Sequence, residues 1–377
     1  MVNRRVAALI GAAAVVFAAC GGGATPTPSA EATAAPTEAP ATEAPAETAA
    51  AAECVVGVSW NNYQEERWAK WDEPALKAAI EAGGGKYISN DAKSSAETQA
   101  SNIENLISQG AKVVVVLAQD GTAVKPAVAS AIANGVPVIA YDRLIEDPQA
   151  LYITFDNKLV GKMQAEALLK VKDSGNFVVI KGNSADANAD FLRAGMVEAG
   201  LPPAGESSDK LKNVGEAYTD NWDPSIAQST MEQFLTANDN KIDIAFVEND
   251  GMAGGAIAAL EAQGLAGKVP VSGQDGDLAA LNRVALGTQT VDVWKDARAL
   301  GKAAGEAAVQ LCANPDLAKV KNVVEFKSPG LNTLTSIFLT PIPITRDNLN
   351  VVIDAGWITK DALCQGVTDT ASVPACQ

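Results

Sequence analysis

The sequence predicts an α/β protein made of two similar doubly wound lobes, each a parallel sheet covered by helices on both faces. Three observations carry this. Short β-branched runs alternate with amphipathic segments along most of the chain, glycines stand where those helices should stop, and one stretch recurs in the second half on the same plan.

The alternation starts at Cys54. Strands are expected at residues 55–59, 86–89, 113–117, 136–140, 151–154, 177–181, 214–218, 242–247, 269–272 and 290–293, with helices between them. Gly83, Gly110, Gly135, Gly200 and Gly264 fall where a left-handed helix cap is wanted. The recurring stretch runs from Lys112 (KVVVVLAQDGTAVKPAVASAIANGVPVIAYD) and again from Lys241 (KIDIAFVENDGMAGGAIAALEAQGLAGKVPVSGQD). Both copies read strand, amide-acid tip, helix, Gly, Val-Pro-Val and a closing Asp. Two lobes on one plan leave a cleft between them, and in such sheets ligands meet the carboxyl ends of the strands.

Ahead of the lobes, Arg4 and Arg5 precede an apolar run over residues 6–19 that is shorter than the ~20 residues of a spanning helix, so residues 1–19 read as an export leader. Phe17-Ala18-Ala19-Cys20 resembles a bacterial lipoprotein signal, which makes Cys20 the expected lipid anchor. The alternative is an ordinary secretory leader. Residues 20–53 are Ala, Thr, Pro, Gly and Glu without apolar period, a disordered tether with a root-mean-square span of about 30 Å. The expected location is extracytoplasmic, lipid-anchored to the cell membrane or periplasmic. There the remaining cysteines can oxidise, and four allow three pairings. Topology favours Cys54 with Cys312, at a strand start and the end of a helix packed on it, and Cys364 with Cys376 in the tail. Buried free thiols are the alternative.

Composition excludes several function classes. A formal charge of −16 with no Lys/Arg run repels phosphate backbones, so no nucleic-acid partner is expected. The chain has no histidine, which removes Ser-His-Asp and Cys-His catalysis and HExxH zinc sites. Neither GxGxxG after a strand nor GxxxxGK[ST] occurs. No metal or cofactor is expected.

The strand tips carry the remaining signal: Trp60-Asn61-Asn62, Gln119-Asp120, Tyr141-Asp142-Arg143, Asp156-Asn157, Asn183 with Asp186 and Asn188, Trp222, Asn249-Asp250, Gln274-Asp275 and Lys295. Carboxylates, amides, cations and indoles recur, and hydroxyl nucleophiles hardly appear. That set suits a sugar: vicinal hydroxyls donate and accept, and an indole covers the C–H face of the ring. Plainer readings stand beside it. Asp120, Asp156 and Asp250 can cap the helices that follow, Arg143 can form a surface ion pair with Asp142, and Trp68 and Trp71 read as packing. Trp222, in the polar turn Thr219-Asp220-Asn221-Trp222-Asp223-Pro224, needs something to cover. Paired tip acids would serve a glycosidase, but each has cationic or amide company suited to holding a ligand.

These residues also carry a resemblance. Glu66-Arg67-Trp68, Ala140-Tyr141-Asp142-Arg143, Thr154-Phe155-Asp156-Asn157, Ala253-Gly254-Gly255-Ala256-Ile257, Gly287-Thr288-Gln289-Thr290 and Leu339-Thr340-Pro341-Ile342, with matching stretches over 99–105, 238–243 and 265–278, resemble the periplasmic D-xylose-binding proteins that feed ABC importers. The likeness runs from about residue 55 to 354. It implies the type I periplasmic binding protein fold, D-xylose as ligand, ABC permease membrane subunits as partners, a monomer and no enzymatic activity. It further implies Arg67, Arg143 and Lys295 as donors, Asp186, Asn188, Asn249 and Asp275 as acceptors and amides, and Trp222 as the stacking surface. Residues 60–64, Asp190 and Glu248 depart from that pattern, which leaves the choice of sugar open. The implied hinge crosses between lobes three times, near Asp156, Thr290 and Phe326, giving lobes 54–156 plus 291–325 and 157–290 plus 326–377. Another aldose as ligand, or a sensor partner for the bound form, is the alternative.

Overall fold

The computed structural model describes residues 53–377; the leader, Cys20 and residues 21–52 lie outside the described residues. Strands and helices alternate through β1 (Val55–Trp60), α1 (Glu73–Ala82), β2 (Lys86–Asp91), α2 (Ala96–Ser108), β3 (Val113–Val116), α3 (Lys125–Ala133), β4 (Val138–Tyr141) and β5 (Ala150–Phe155). The order repeats as α4 (Asn157–Val171), β6 (Gly175–Lys181), α5 (Ala187–Glu198), β7 (Leu211–Tyr218), α6 (Pro224–Ala237), β8 (Ile244–Val247), α7 (Asp250–Ala262), β9 (Ser272–Gln274), α8 (Leu278–Leu286) and β10 (Val291–Trp294). Then come α9 (Ala297–Ala313), β11 (Val324–Lys327), β12 (Thr333–Leu339) and β13 (Ile342–Ile344).

The sheets show the repeat directly. The first has the order β11-β12-β5-β4-β3-β1-β2. The second lobe has β7-β6-β8 and β9-β10-β13, joined by one parallel bridge between Ala245 and Val271. Taken from β2 and from β7, the first five strands follow the same sequence in both lobes. The stretches from Lys112 and Lys241 therefore occupy equivalent places, as β3-α3-β4 and β8-α7-β9. Every residue of β1, β3, β4 and β8 is buried, as helices on both faces require.

The lobes exchange helices at the hinge. After β5 the chain enters the second lobe through α4, which lies against α5 so closely that a Cβ on Gly161 would stand 1.9 Å from the carbonyl oxygen of Leu192. After β10 it returns through α9, which packs on α1.

Two expected crossings move. Val291–Trp294 pairs with β9 in the second lobe, so the return follows Trp294 rather than Thr290. Residues 326–339 do not belong to the second lobe as expected: β12 pairs in parallel with β5, and β11 pairs with β12, both in the first sheet. The last crossing comes after Leu339, where β13 joins β10 antiparallel. The physical reason is that β12 is placed by β5, far away in sequence, and carries the neighbouring β11 with it. The strand expected at 269–272 forms its ladder only over Ser272–Gln274. Gly84, not Gly83, takes the left-handed conformation after α1.

Cys54 is bonded to Cys312 and Cys364 to Cys376, each pair with Cα atoms 5.6 Å apart. The first ties the start of β1 to the end of α9, and the second closes the tail that packs under α8.

Candidate functional site

All eight residues nominated from sequence line one small cavity between the lobes. They share it with Glu65, Trp68, Asp142 and Gln274. Each stands just beyond the carboxyl end of a strand, on the loop or helix start that follows it.

From the first lobe, the chain leaves β1 and winds through a widened, π-type turn at Trp68–Asp72. That turn directs Arg67 inward. Asp72 grips the guanidinium from behind with two hydrogen bonds of 2.9 Å and also accepts from the Tyr141 hydroxyl. Arg67 lies over the Trp68 ring, 4.3 Å from its centroid. Its remaining Nη1 faces two carboxylates, Asp142 of the first lobe and Asp275 of the second, each at 3.2 Å. Arg143 is held the same way from both sides: Nη2 meets Glu65 at 2.9 Å and Nε meets Asp186 at 3.0 Å. Glu65 also accepts from the Trp68 indole N–H at 2.7 Å.

From the second lobe, Asp186 does two jobs. One oxygen caps α5 by accepting from Asn188 N at 3.0 Å, and the other reaches Arg143. Asn188 donates to the carbonyl oxygen of Asp142 across the cleft at 3.1 Å. Asn249 caps α7 through Oδ1, which accepts from Met252 N at 2.9 Å and turns its amide group toward the cavity. Lys295, at the hinge after β10, lies 3.4 Å from Asp275. Trp222 has φ of 57° in the tight turn before α6, and its ring packs directly against Gly182, where a Cβ would stand 2.1 Å from ring atom Cζ2. Glycine at 182 is the condition for that contact. The indole N–H of Trp222 and Oε1 of Gln274 are buried without a protein partner.

Across the cleft, Gln119 also donates to Asn221 at 2.7 Å, so the lobes are closed on each other.

Burial and charge oppose one another here. Burial would raise the Asp142 carboxyl, but Arg67, Lys295 and Arg143 outweigh it and hold the group below its usual range. Burial wins at Glu65 and Asp186, which are raised despite Arg143, and takes Asp72 to about 6 against Arg67. Burial disfavours the Arg67 cation, yet Asp72 and Asp142 keep it firmly charged. Four carboxylates and three cations therefore line the cavity, each with a partner of opposite sign. A paired carboxylate is a poor nucleophile and a good acceptor, so the chemistry of this arrangement suits holding a polyhydroxylated molecule better than cleaving one. Among the described residues no cluster of Cys, Asp or Glu is placed to hold a metal ion.

Of the three capping readings only Asp156 holds: Asp120 closes the turn ahead of α3 without capping it, and α7 is capped by Asn249 rather than Asp250. Asp120 accepts from Thr122 N and Ala123 N, and Asp156 from Leu159 N. Trp71 stacks on Trp357 with centroids 4.4 Å apart, as packing predicted, whereas Trp68 both packs and lines the cavity. Asp142 and Gln274 were visible as strand tips. Glu65 had no signal beyond its position two residues before Arg67.

The comparisons agree with this geometry. A family model described as a periplasmic binding protein domain matches residues 56–316. A D-xylose-binding periplasmic protein of Escherichia coli (strain K12) is 40% identical over 315 residues, covering 83% of this chain and 93% of the relative. A D-xylose-binding periplasmic protein of Haemophilus influenzae is 37% identical over 310 residues, covering 82% and 91%. A carbohydrate transporter solute-binding protein of Chloroflexus aurantiacus, solved in complex with D-glucose, superposes with a TM-score of 0.73 at 28% identity over 81% of this chain and 97% of that one. Two lobes on one plan, closed over a cavity lined by strand ends and matched along most of their length by these relatives, place the chain in the periplasmic binding protein family, in its sugar-binding branch and not among enzymes.

Proposed function

We propose that the protein captures D-xylose in the interlobe cleft and delivers it to an ABC permease, held at the outer face of the cell membrane by a lipid on Cys20. The observation that carries this reading is the double clamp on Arg67 and Arg143, where carboxylates from both lobes meet one guanidinium each. Hydroxyls of a pentose can take up those charges as the lobes close, with Trp222 against the ring. The names of the two D-xylose-binding relatives support the choice of sugar. Arg67, Arg143, Asp186, Asn188, Trp222, Asn249, Asp275 and Lys295 are the proposed ligand contacts, joined by Glu65, Asp142 and Gln274. The protein works as a monomer, and opening and closing are a hinge rotation at the three crossings. Support for the anchor and tether is the leader sequence itself.

Calorimetry with D-xylose, other pentoses, D-glucose and D-galactose tests the reading. D-xylose should bind most tightly and be recovered unchanged. Preference for a hexose would move the protein to the second reading, another aldose, which the D-glucose complex of the Chloroflexus aurantiacus protein favours. Hydrolysis of a xyloside would remove both. Cys20→Ala should release the protein from the membrane fraction.

A further inference from the structure

Behind the cleft, within the second lobe, two buried carboxyl groups meet with no salt bridge to either. Asp250 is the first residue of α7 and Asp292 lies inside β10. Oδ2 of Asp250 accepts from the backbone N–H groups of Gly276 and Asp277, both at 3.0 Å, and its Oδ1 accepts from the Gln289 amide at 2.9 Å. Oδ1 of Asp292 accepts from the same Gly276 N–H at 3.1 Å, and its Oδ2 is buried with no partner. Two anionic oxygens converging on one N–H in a dry interior repel each other strongly, and one proton between them removes that repulsion. The partners bias where it sits. Asp250 has three donors to support a charge, whereas Asp292 has one donor and a free oxygen.

Gly276 follows the cleft residue Asp275. Its φ is 85°, and a Cβ there would stand 2.4 Å from Cδ1 of Trp294. Its carbonyl oxygen accepts from the Trp357 indole at 2.6 Å. The carboxyl pair thus holds one end of this peptide and Trp357 the other. We infer that Asp292 is a positioning residue for the ligand site: it shares one proton with Asp250, and this singly charged, proton-bridged pair keeps Gly276, and with it Asp275, in place at the cleft.

The surroundings agree. Burial pushes the Asp292 carboxyl up to about 8, with Asp277 and Asp275 adding to it against a lowering hydrogen bond from Asp250, and burial together with Asp292 holds Asp250 well above the usual carboxylate range, so the proton belongs to the pair rather than to one member. The groups that face the pair are Asp275 and Asp277 from the loop before α8, Arg283 of α8, whose Nη2 is engaged by the carbonyl oxygen of Asp250 at 2.7 Å, and Glu66 beyond Asp277. The strands on either side of Asp292 place Gly273 and Ile344 beside it, and the buried face of α4 is Val160, Gln164, Ala165 and Leu168. The inference rests on the cleft being the sugar site, and the test separates the two.

Tryptophan emission of the ligand-free full chain should titrate with a midpoint near pH 8, read through Trp294 and Trp357. Burial also raises Asp277 and Glu248, so the Asp292→Asn profile is what assigns the transition to the pair. D-xylose affinity should fall at least ~5-fold between about pH 7 and about pH 9.5. Asp292→Asn, an amide that mimics the neutral acid, should abolish both pH responses and keep affinity within ~2-fold of the parent at pH 7, whereas Asp292→Ala should weaken binding at every pH. A flat emission profile in the parent protein, or an Asp292→Asn profile that follows it, overturns the inference. If emission titrates as described and no sugar binds at either pH, the shared proton stands and the ligand reading falls.

Discussion

Asp142 and Asp275 are equivalent residues of the two lobes: each follows the fourth strand of its sheet, each has a positive φ (61° and 102°), and each places an oxygen 3.2 Å from Nη1 of Arg67. The internal repeat therefore ends, in both copies, on the same guanidinium. Asp142 shares a lobe with Arg67, and Asp275 does not, so only the Asp275 contact depends on closure.

Removing Arg67 tests that convergence. Arg67→Ala strands Asp72, Asp142 and Asp275, and is expected to lower stability by about 3–5 kcal/mol as well as abolish sugar binding. Arg67→Lys should recover only part of either, because an ammonium cannot reproduce the two-bonded grip of Asp72. Chemical denaturation and calorimetry give the two values. Unchanged stability in Arg67→Ala would mean the buried carboxylates are not held by this cation.

The aromatic wall makes a second prediction. Trp222→Ala and Asp275→Ala should each weaken binding at least tenfold, about 1.4 kcal/mol or more. Gly182→Ala, which forces a methyl into the Trp222 ring, should weaken it too while leaving the first lobe unchanged. Near-native affinity in all three would place the ligand elsewhere.

Much of this was legible in the sequence because the repeat is local. β3 and β8 read directly from short β-branched runs, and Asn249 and Asp186 from their places at the tips of β8 and β6, although their roles as helix caps did not. β12 did not. Its pairing with β5 joins Thr154 to Phe338 across about half of the chain, and no local period encodes that partnership. Glu65 was missed for a related reason: it lies in a loop without period, and its role exists only because Arg143 and Trp68 arrive beside it.

Loss of a disulfide should matter unequally. Cys54–Cys312 spans 258 residues and Cys364–Cys376 spans 12. Replacing the first pair with serines should cost about 4–5 kcal/mol and the second about 3 kcal/mol or less, measured by urea unfolding. Equal losses would show that chain entropy is not what these links supply.

Acid should loosen the closed form. Asp142 is held below its ordinary 3.8, so the folded state binds fewer protons there than the unfolded chain. Its stabilising contribution is complete above that value and is lost as pH falls through the lower folded one. Asp142→Asn should therefore flatten the acid limb of the stability curve, followed by thermal unfolding from about pH 6 to about pH 2. An unchanged limb would mean Asp142 gains nothing from Arg67, Lys295 and Arg143.

A crystal structure of the protein grown with D-xylose tests the central claim most directly. We expect one pyranose enclosed between the lobes, its hydroxyls shared among Arg67, Asp142, Arg143 and Asp275 and its ring against Trp222. A sugar bound outside the cleft, or lobes closed with Arg67 still paired to Asp275 at saturating D-xylose, would contradict the account.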